Sequence, residues 1–375
     1  MKKSIVLFLS LILLIQFFMS SSYAIVLQKQ ETPISSAMKI SRNTIANLLM
    51  PISDITSSDI PIDPFSPSDV TLADDRFHDS DISHYTEWWY FDATFTNNYS
   101  LQFSIHVYNV LGVGMATINT NLYRAGELLE TSRDVFFLSD LILSKTMPYI
   151  SLNHQYIIWG DTKDDDQKFV YQISYETDKL SFQLEFTSLN RGWKGTTSAG
   201  SWAVMIPKAR VTGMISYNEQ IMEVKGVGYH DHNWNVTVST GLNYGWAWGR
   251  TYTASTSITW ASIMETWYRD TPLIVINTNQ SLYQNIPHHQ ITMKAKDFRF
   301  TNGIFIPYSF YLTANTPDIY LALNISVLSM DYTTILGIIN YWRYHTYTEG
   351  VLTIFGETQQ IKNYDIAEFI CFRFY

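Results

Sequence analysis

Hydrophobic and polar residues alternate along much of the chain from Glu87 onward. The segments EWWYFDATFT and YSLQFSIHVYNV flank Asn97-Asn98 and predict a β-hairpin, because strand side chains point alternately to opposite faces and a short polar turn joins paired strands. The same pattern predicts hairpins around Thr177-Asp178 and Asn218-Glu219.

Strand patterns continue after Gly241, and helical patterns are few. Many short strands joined by polar turns are typical of sandwiches and barrels. We therefore predict an all-β protein with two consecutive antiparallel β-barrel domains, residues 76–236 and 237–375.

The first 24 residues have the pattern of a secretory signal peptide. Lys2 and Lys3 precede an apolar run from Ile5 to Phe18, and small residues lead to Ala24. This run is too short to favour a membrane span, so we predict a cleaved signal and a secreted or periplasmic protein. Residues 25–75 are rich in Ser, Asp and Pro without a period, which predicts a disordered leader that is dispensable for folding.

Charge and cysteine content exclude two classes of protein. The formal charge is −9, and the segment from Pro51 to Asp81 alone carries eight aspartates against Arg76. The rest of the chain is nearly neutral and has no basic patch for nucleic acid. With Cys371 as the only cysteine, the chain forms no internal disulfide, and we expect Cys371 to be an apolar strand residue.

The segment GYHDHNWN, residues 228–235, is the densest group of chemically active side chains. On a strand, His230, His232 and Trp234 share one face, whereas Asp231 lies on the other. Three interpretations stay open: a zinc site, a structural hydrogen-bond network, or an acid–base or ligand-orienting site. A third zinc ligand is not convincingly spaced among the candidates, so we predict no metal and no cofactor; the candidates are His106, His154, His288, His289 and His345.

Two neighbouring segments add aromatic and charged residues. In EWWYFDA, Glu87 and Trp89 share one face and Asp92 lies on the other, either at solvated strand ends or inside a partly polar barrel. In YGWAWGR, the side chains of Trp246, Trp248 and Arg250 share a face. They either pack through a cation–π contact or line a ligand cavity.

Three segments together resemble the carotenoid 1,2-hydratase/AttH-like proteins. These are DRFHDSDISHYTEWWYFDATF, GVGYHDHNWN and GWAWGR, which occur in the family's order over residues 75–265. The resemblance implies two lipocalin-like barrels with a hydrophobic ligand cavity near their junction. It also implies acid catalysis, in which a buried carboxylic acid protonates a terminal alkene and water traps the cation.

Carried over by position, the family's His-x-Trp corresponds to His232 and Trp234. The family's acid falls in Trp260-Ala261-Ser262, where Ser262 cannot protonate an alkene. Asp231 and Glu265 are the nearest replacements. We therefore predict Asp231, His232 and Glu265 as catalytic residues; the predicted ligand-binding residues are Trp234, Trp246, Trp248, Arg250, Trp260, Glu87 and Trp89.

Two functions follow from this set of residues. The first is an exported enzyme that hydrates or isomerises an isoprenoid or other lipid-like ligand, with peripheral membrane contact for ligand exchange. The second is a non-catalytic carrier of a hydrophobic ligand. The sequence does not indicate an oligomeric state.

Overall fold

The structure is a computed structural model. It describes residues 65–79, 85–110, 113–163, 168–198, 200–237, 245–266, 269–278, 282–335 and 339–372. The predicted signal peptide and residues 25–64 of the predicted leader lie outside this part of the chain. Within it, no helix has the length and apolar character needed to cross a membrane.

The described residues form β-strands and three short 3-10 turns, which confirms the all-β prediction. The turns are Leu72–Asp75, Leu138–Asp140 and His288–Gln290. The strands of the first sheet are β1 (Ser68–Asp69), β2 (Tyr85–Phe95), β3 (Tyr99–Val110), β4 (Val113–Arg124), β5 (Glu127–Phe137), β6 (Leu141–Leu143), β7 (Tyr149–Leu152), β8 (Gln155–Lys163), β9 (Lys168–Glu176), β10 (Leu180–Ser188), β11 (Trp193–Thr197), β12 (Gly200–Tyr217) and β13 (Gln220–Thr237).

The remaining strands form a second sheet and one small hairpin, β19 with β20. They are β14 (Gly245–Tyr252), β15 (Thr256–Thr266), β16 (Arg269–Thr278), β17 (Tyr283–Asn285), β18 (Ile291–Lys296), β19 (Arg299–Thr301), β20 (Ile304–Ile306), β21 (Ser309–Asn315), β22 (Ile319–Ile335), β23 (Ile339–Ile354) and β24 (Glu357–Phe372).

All pairings are antiparallel, and both sheets are strongly curved. The first has the order β5-β4-β3-β2-β13-β12-β10-β9-β8-β7-β6 and forms a nearly closed barrel. The second has the order β17-β16-β15-β14-β24-β23-β22-β21-β18 and forms a half-barrel. Because β2, β13 and β12 are adjacent in the first sheet, and β15, β14 and β24 in the second, each motif from the sequence lies near the middle of its sheet.

The three predicted hairpins are confirmed. The turn at Asn97-Asn98 joins β2 to β3, Thr177-Asp178 lies between β9 and β10, and Asn218-Glu219 joins β12 to β13. Asn218 and Glu219 both have positive φ, of 50° and 66°. This is the backbone twist that a two-residue hairpin turn requires.

The buried apolar residues form three layers. One fills the first barrel, around Phe91 and Phe103, and one fills the half-barrel, around Trp260 and Phe310. Cys371 belongs to the half-barrel core and is buried, as expected. The third layer, which we call the junction layer, lies between the two sheets and includes Phe65, Tyr90, Trp202, Tyr229, Trp248 and Ala261.

The last part of the predicted leader is packed rather than disordered. Phe65 is 1% exposed and makes an edge-on contact with Trp193, with ring centroids 5.6 Å apart. Strand β1 pairs with β11, and Asp75 is fully buried. The predicted disorder therefore does not extend to residues 65–75, because their few apolar and acidic side chains have specific partners inside the fold; that the leader is dispensable for folding stays a prediction.

Candidate functional site

Strand β13 carries the GYHDHNWN segment and separates two different environments. It lies between β2 and β12, with Asp231 paired to Tyr90 and His232 paired to Trp89 on β2. Alternation along β13 therefore sends His230 and His232 into the first barrel and Asp231 into the junction layer. The predicted division of the two faces is confirmed by these contacts.

On the barrel face, His230 and His232 join two buried carboxylates and a third histidine, in a group we call the histidine–carboxylate cluster (Asp75, Glu87, His230, His232 and His78). Nε2 of His232 lies 2.8 Å from Oε1 of Glu87, and its Nδ1 lies 3.2 Å from Oδ1 of Asp75. Nε2 of His230 lies 3.1 Å from Oδ2 of Asp75. Since both ring nitrogens of His232 face carboxylates, the ring is an imidazolium held between two anions.

Two further side chains complete the environment of Glu87. Nδ1 of His78 lies 3.1 Å from Oε1 of Glu87, the His78 backbone N–H donates to the same oxygen, and Tyr85 donates a hydrogen bond to Oε2. The ring of His78 stacks on Trp234 at 4.1 Å, and Trp89 stacks on His232 at 4.4 Å. Glu87 is fully buried, which excludes a position at a solvated strand end.

The charges of the cluster stabilise one another. Burial would raise the pKa of both carboxyls, but hydrogen bonds and charge from His230, His232 and His78 lower the pKa of Asp75 and of Glu87 to about 2. Burial likewise opposes the charge of His232, yet the hydrogen bonds that its ring donates to Asp75 and Glu87 raise its pKa to about 9. Groups that stay charged at neutral pH in this way act as an ion network rather than as proton donors.

The same cluster contains a set of residues that could hold a metal ion. The ligand atoms of His78, Glu87 and His232 lie within 4.8 Å of one another. However, Nδ1 of His78 and Nε2 of His232 both lie at hydrogen-bond distance from Oε1 of Glu87, so each of these ligand atoms already has a hydrogen-bond partner. The absence of a bound metal stays a prediction, although the structure supplies two ligand candidates, His78 and Glu87, that the sequence did not indicate.

On the junction face, Asp231 has a different set of partners. Its Oδ2 accepts hydrogen bonds from Trp202 Nε1 at 2.9 Å and from the Tyr229 hydroxyl at 2.8 Å, and its Oδ1 accepts one from Asn233 Nδ2 at 3.2 Å. All three donors are neutral. Burial raises the pKa of Asp231 to about 7, although the bonds from Trp202 and Tyr229 lower it.

Asp231 lines a cavity of about 80 Å³ in the junction layer. The walls are mainly aromatic, and a second carboxyl, Glu368 on β24, lies in the opposite sheet. Partly exposed Gly200 and Ser201 also line the cavity, so it reaches the protein surface on that side. The aromatic walls are Trp88, Tyr90, Trp202, Trp246 and Trp248.

Glu368 differs from Asp231 because a cation lies beside it. Nη1 of the buried Arg343 is 3.6 Å from Glu368 Oε1, and Tyr341 donates a hydrogen bond of 2.7 Å to the same oxygen. Burial raises the pKa of Glu368, while Arg343 and Tyr341 act to lower it. Arg343 also donates to the hydroxyl of Tyr90 at 2.6 Å, so a polar chain connects the two sheets.

Asp92 and Arg250 form a second connection across the junction. Nε of Arg250 lies 3.0 Å from Oδ1 of Asp92, and both side chains are buried. Tyr90 donates to Asp92 Oδ2 at 3.1 Å. Arg250 was predicted as a ligand contact, but it does not line the junction cavity. Its guanidinium instead joins β14 to β2.

The structure brings only part of the predicted site together. Asp231, Trp246 and Trp248 line the junction cavity, whereas His232, Trp234, Glu87 and Trp89 lie on the barrel face of their strands. Trp260 packs against Phe310 in the half-barrel core. Glu265 belongs to β15, but its side chain lies outside the described residues.

Ser262, which the resemblance predicts to stand at the position of the family's acid, does not face the cavity. Ser262 donates a hydrogen bond of 2.8 Å to Asp270, while its neighbours Ala261 and Ile263 line the cavity. Sequence reasoning missed Glu368. Its signal was weak, since AEFICFRFY contains a single carboxylate between apolar residues, 137 positions after Asp231.

No model of a known protein family matches the chain. A hydroxyneurosporene dehydrogenase from Chlorobaculum tepidum is 28% identical over an alignment of 173 positions that covers 38% of this chain and 44% of that protein. The chain thus matches less than half the length of this curated relative.

Two solved structures share the fold. An AttH protein from Nitrosomonas europaea, NE1406, aligns with a TM-score of 0.55 and 10% identity over 76% of this chain and 92% of that one. CghA, crystallised with Sch210972, aligns with a TM-score of 0.54 and 10% identity over 77% of this chain and 88% of that one. The resemblance to the carotenoid 1,2-hydratase/AttH-like proteins is confirmed, and this chain has their lipocalin-like fold.

Proposed function

We propose that the protein binds the end of an apolar, isoprenoid-like ligand in the junction cavity and adds a proton to a terminal alkene, leading to hydration or isomerisation. The observation that carries this proposal is the buried carboxyl of Asp231 at the wall of an aromatic cavity. A carboxylic acid with a pKa near 7 is still protonated in part at neutral pH, which suits a general acid.

The hydrogen bonds of Asp231 favour a proton on one particular oxygen. Trp202 and Tyr229 both donate to Oδ2, so negative charge is best stabilised there. The proton therefore resides on Oδ1, which has only the longer bond from Asn233. An O–H at Oδ1 is the group that would meet the alkene.

The cavity walls suit a cationic intermediate. Protonation of a trisubstituted alkene leaves a tertiary carbocation, and the faces of aromatic rings attract positive charge. Trp88 and Trp246 stack at 6.4 Å, and Tyr90 contacts Trp248 edge-on at 5.7 Å. These four rings line the cavity together with Trp202.

The cavity volume limits the part of the ligand that enters. Ligand pockets usually measure about 300–1,000 Å³, and about 80 Å³ accommodates only the branched end of a chain. The remainder would leave past Gly200 and Ser201, where the cavity reaches the surface. An exported protein with such a ligand would exchange it at a membrane, and both export and membrane contact are part of this proposal.

Citronellol, a short isoprenoid alcohol with one terminal trisubstituted alkene, tests the proposal. The wild-type protein should convert it to the tertiary alcohol or to an alkene isomer, measured by gas chromatography with mass detection. Asp231→Asn keeps the shape and removes the acid, so turnover should fall by about 100- to 10,000-fold while ligand binding persists.

Tyr229→Phe is the matched control. It leaves the acid in place but removes a hydrogen bond that stabilises the carboxylate, so the activity lost as pH rises through about 7 should instead be lost at higher pH. Asp92 and Glu368 also raise the pKa of Asp231 and are unchanged in this variant. Binding of citronellol without turnover by the wild type would instead favour the carrier.

A further inference from the structure

A second catalytic role remains to be assigned in the same cavity, because hydration needs a base as well as an acid. Water must also lose a proton as it attacks the cation, and a group must accept that proton. Among the described residues that line the cavity, Asp231 and Glu368 are the two carboxyls. They belong to different sheets, Asp231 to β13 and Glu368 to β24, so they approach a ligand from two sides.

The partners of the two carboxyls assign them opposite roles. Asp231 is bound only by neutral donors, so nothing close to it compensates a negative charge. Glu368 has the guanidinium of Arg343 at 3.6 Å and the Tyr341 hydroxyl at 2.7 Å, which stabilise its ionised form. A pair of carboxyls in such different environments can divide acid and base functions between them.

A buried donor beside Glu368 completes a site for water. Trp248 is directly paired with Glu368 on the adjacent strand, so the two side chains lie next to each other on one face. The indole Nε1 of Trp248 is buried and has no hydrogen-bond acceptor among the described residues. Most buried indole N–H groups find a partner, so an unused one in a cavity wall indicates an oxygen atom of a ligand or of water.

We infer that Glu368 is the general base of the reaction, and that Glu368 and the Trp248 N–H together hold the water molecule that attacks the cation. This inference rests on the proposed function. It identifies a second catalytic residue and explains why the cation would be captured by water, giving hydration, instead of losing a proton to give an isomer.

The step balances as an addition of water. The alkene π pair takes the proton from Asp231, forming a C–H bond and leaving a tertiary cation beside it. A lone pair of water forms the C–O bond, and one proton of that water passes to the carboxylate of Glu368. The product is a tertiary alcohol, and proton exchange with solvent restores Asp231 and Glu368.

The test separates protonation from hydration with citronellol in D₂O. Reversible protonation by Asp231 places deuterium on the alkene CH carbon, which takes the proton when the tertiary cation forms, whereas hydration gives the alcohol, and mass spectrometry measures both. Glu368→Gln should keep deuterium incorporation and lose about 100- to 10,000-fold of the hydration rate. Asp231→Asn should lose both signals.

Two milder variants cover the case in which Glu368→Gln does not fold beside the buried Arg343. Tyr341→Phe and Trp248→Phe leave the charge pair intact, and each should lower the ratio of alcohol formed to deuterium incorporated. Tyr252→Phe, a tyrosine outside the cavity lining, should leave that ratio unchanged.

Three results would overturn the assignment of Glu368. If a folded Glu368→Gln variant hydrates citronellol at the wild-type rate, Glu368 is not the base. If this variant loses alcohol formation and deuterium incorporation equally, the role of Glu368 is structural. An unchanged ratio in both milder variants removes the water site. If the wild type gives neither alcohol nor deuterium incorporation, the proposed function itself fails, which is distinct from the pattern in which only hydration is affected.

Discussion

The two faces of β13 show how equally buried carboxyls come to behave differently. On the barrel face, Glu87 lies against the imidazolium of His232, and its pKa is lowered to about 2. Asp231, the residue before His232 on β13, points to the junction face and meets only neutral donors, and its pKa is raised to about 7. Burial is common to both sites; the nearest cation decides the sign of the shift.

The comparison also separates structural from chemical roles. The histidine–carboxylate cluster holds β2, β13 and the turn at Leu72–Asp75 together, and its members Asp75, Glu87 and His232 have pKa values that keep them charged at neutral pH. The junction cavity instead keeps a carboxyl that can change its protonation state. The histidines that attracted attention in the sequence thus belong to the first kind of site, and the aspartate between them belongs to the second.

Breaking the cluster should produce the largest effect on stability. Glu87→Ala leaves His232 and Asp75 buried without their full set of partners, and loss of one member of a buried charge pair costs about 3–5 kcal/mol. Urea unfolding at neutral pH measures this change. The control is Lys145→Ala, which removes an exposed ion pair with Asp79 and should cost roughly 0–1 kcal/mol. Equal losses in the two variants would contradict a stabilising role for the cluster.

Removing the acid from the junction should have a smaller effect, and in the opposite direction. A pKa raised from the ordinary value of 3.8 to about 7 means that wild-type stability falls as pH rises through this window, since the folded state must then hold an unpaired carboxylate. Asp231→Asn does not titrate. Its stability relative to wild type should therefore rise by about 2–4 kcal/mol between pH 4 and pH 8.

Thermal or urea unfolding of both proteins at several pH values gives this difference directly. Asp231 faces Asp92 and Glu368 as well as Tyr229 and Trp202, so those four residues stay unchanged in the comparison. A constant difference between the two proteins over the pH range would show that the Asp231 carboxyl is not shifted.

The smallest expected effect concerns metal. We predict that treatment with a chelator leaves the melting temperature unchanged, because hydrogen bonds already satisfy His78, Glu87 and His232. Elemental analysis of tag-free protein should find no stoichiometric transition metal. Stoichiometric zinc that is lost in a His78→Ala/His232→Ala variant would show that the cluster is a metal site.

Local pattern was enough to predict the strands, the turns and the two faces of each motif. The alternation in EWWYFDA places Glu87 and Asp92 on opposite faces, as observed, because strand geometry fixes the direction of each side chain. Asp231 was also among the predicted catalytic residues. Which face of β13 borders a cavity depends on the second sheet, so the sequence could not exclude His232 and Trp234 as ligand contacts.

The missed residues come from parts of the chain without a periodic pattern. Asp75 is the last residue of a single 3-10 turn in an acidic segment, where nothing in the sequence distinguishes a buried carboxylate from its exposed neighbours. Arg343 and Glu368 each lie between apolar or aromatic neighbours on their strands, and their partners Tyr90 and Tyr341 are known only once β2, β23 and β24 are placed. Such pairs depend on tertiary structure rather than on local spacing.

The sequence separation inside the histidine–carboxylate cluster has a consequence for how the chain folds. Asp75 and His230 are 155 residues apart, and Glu87 and His232 are 145 apart. Contacts of such long range stabilise the chain only after a large loop has closed at a cost in entropy, and proteins dominated by them fold slowly. Pairing of β2 with β13 should therefore be a late event in folding, and until it occurs the two carboxylates remain solvated and no wall exists to divide the barrel from the junction.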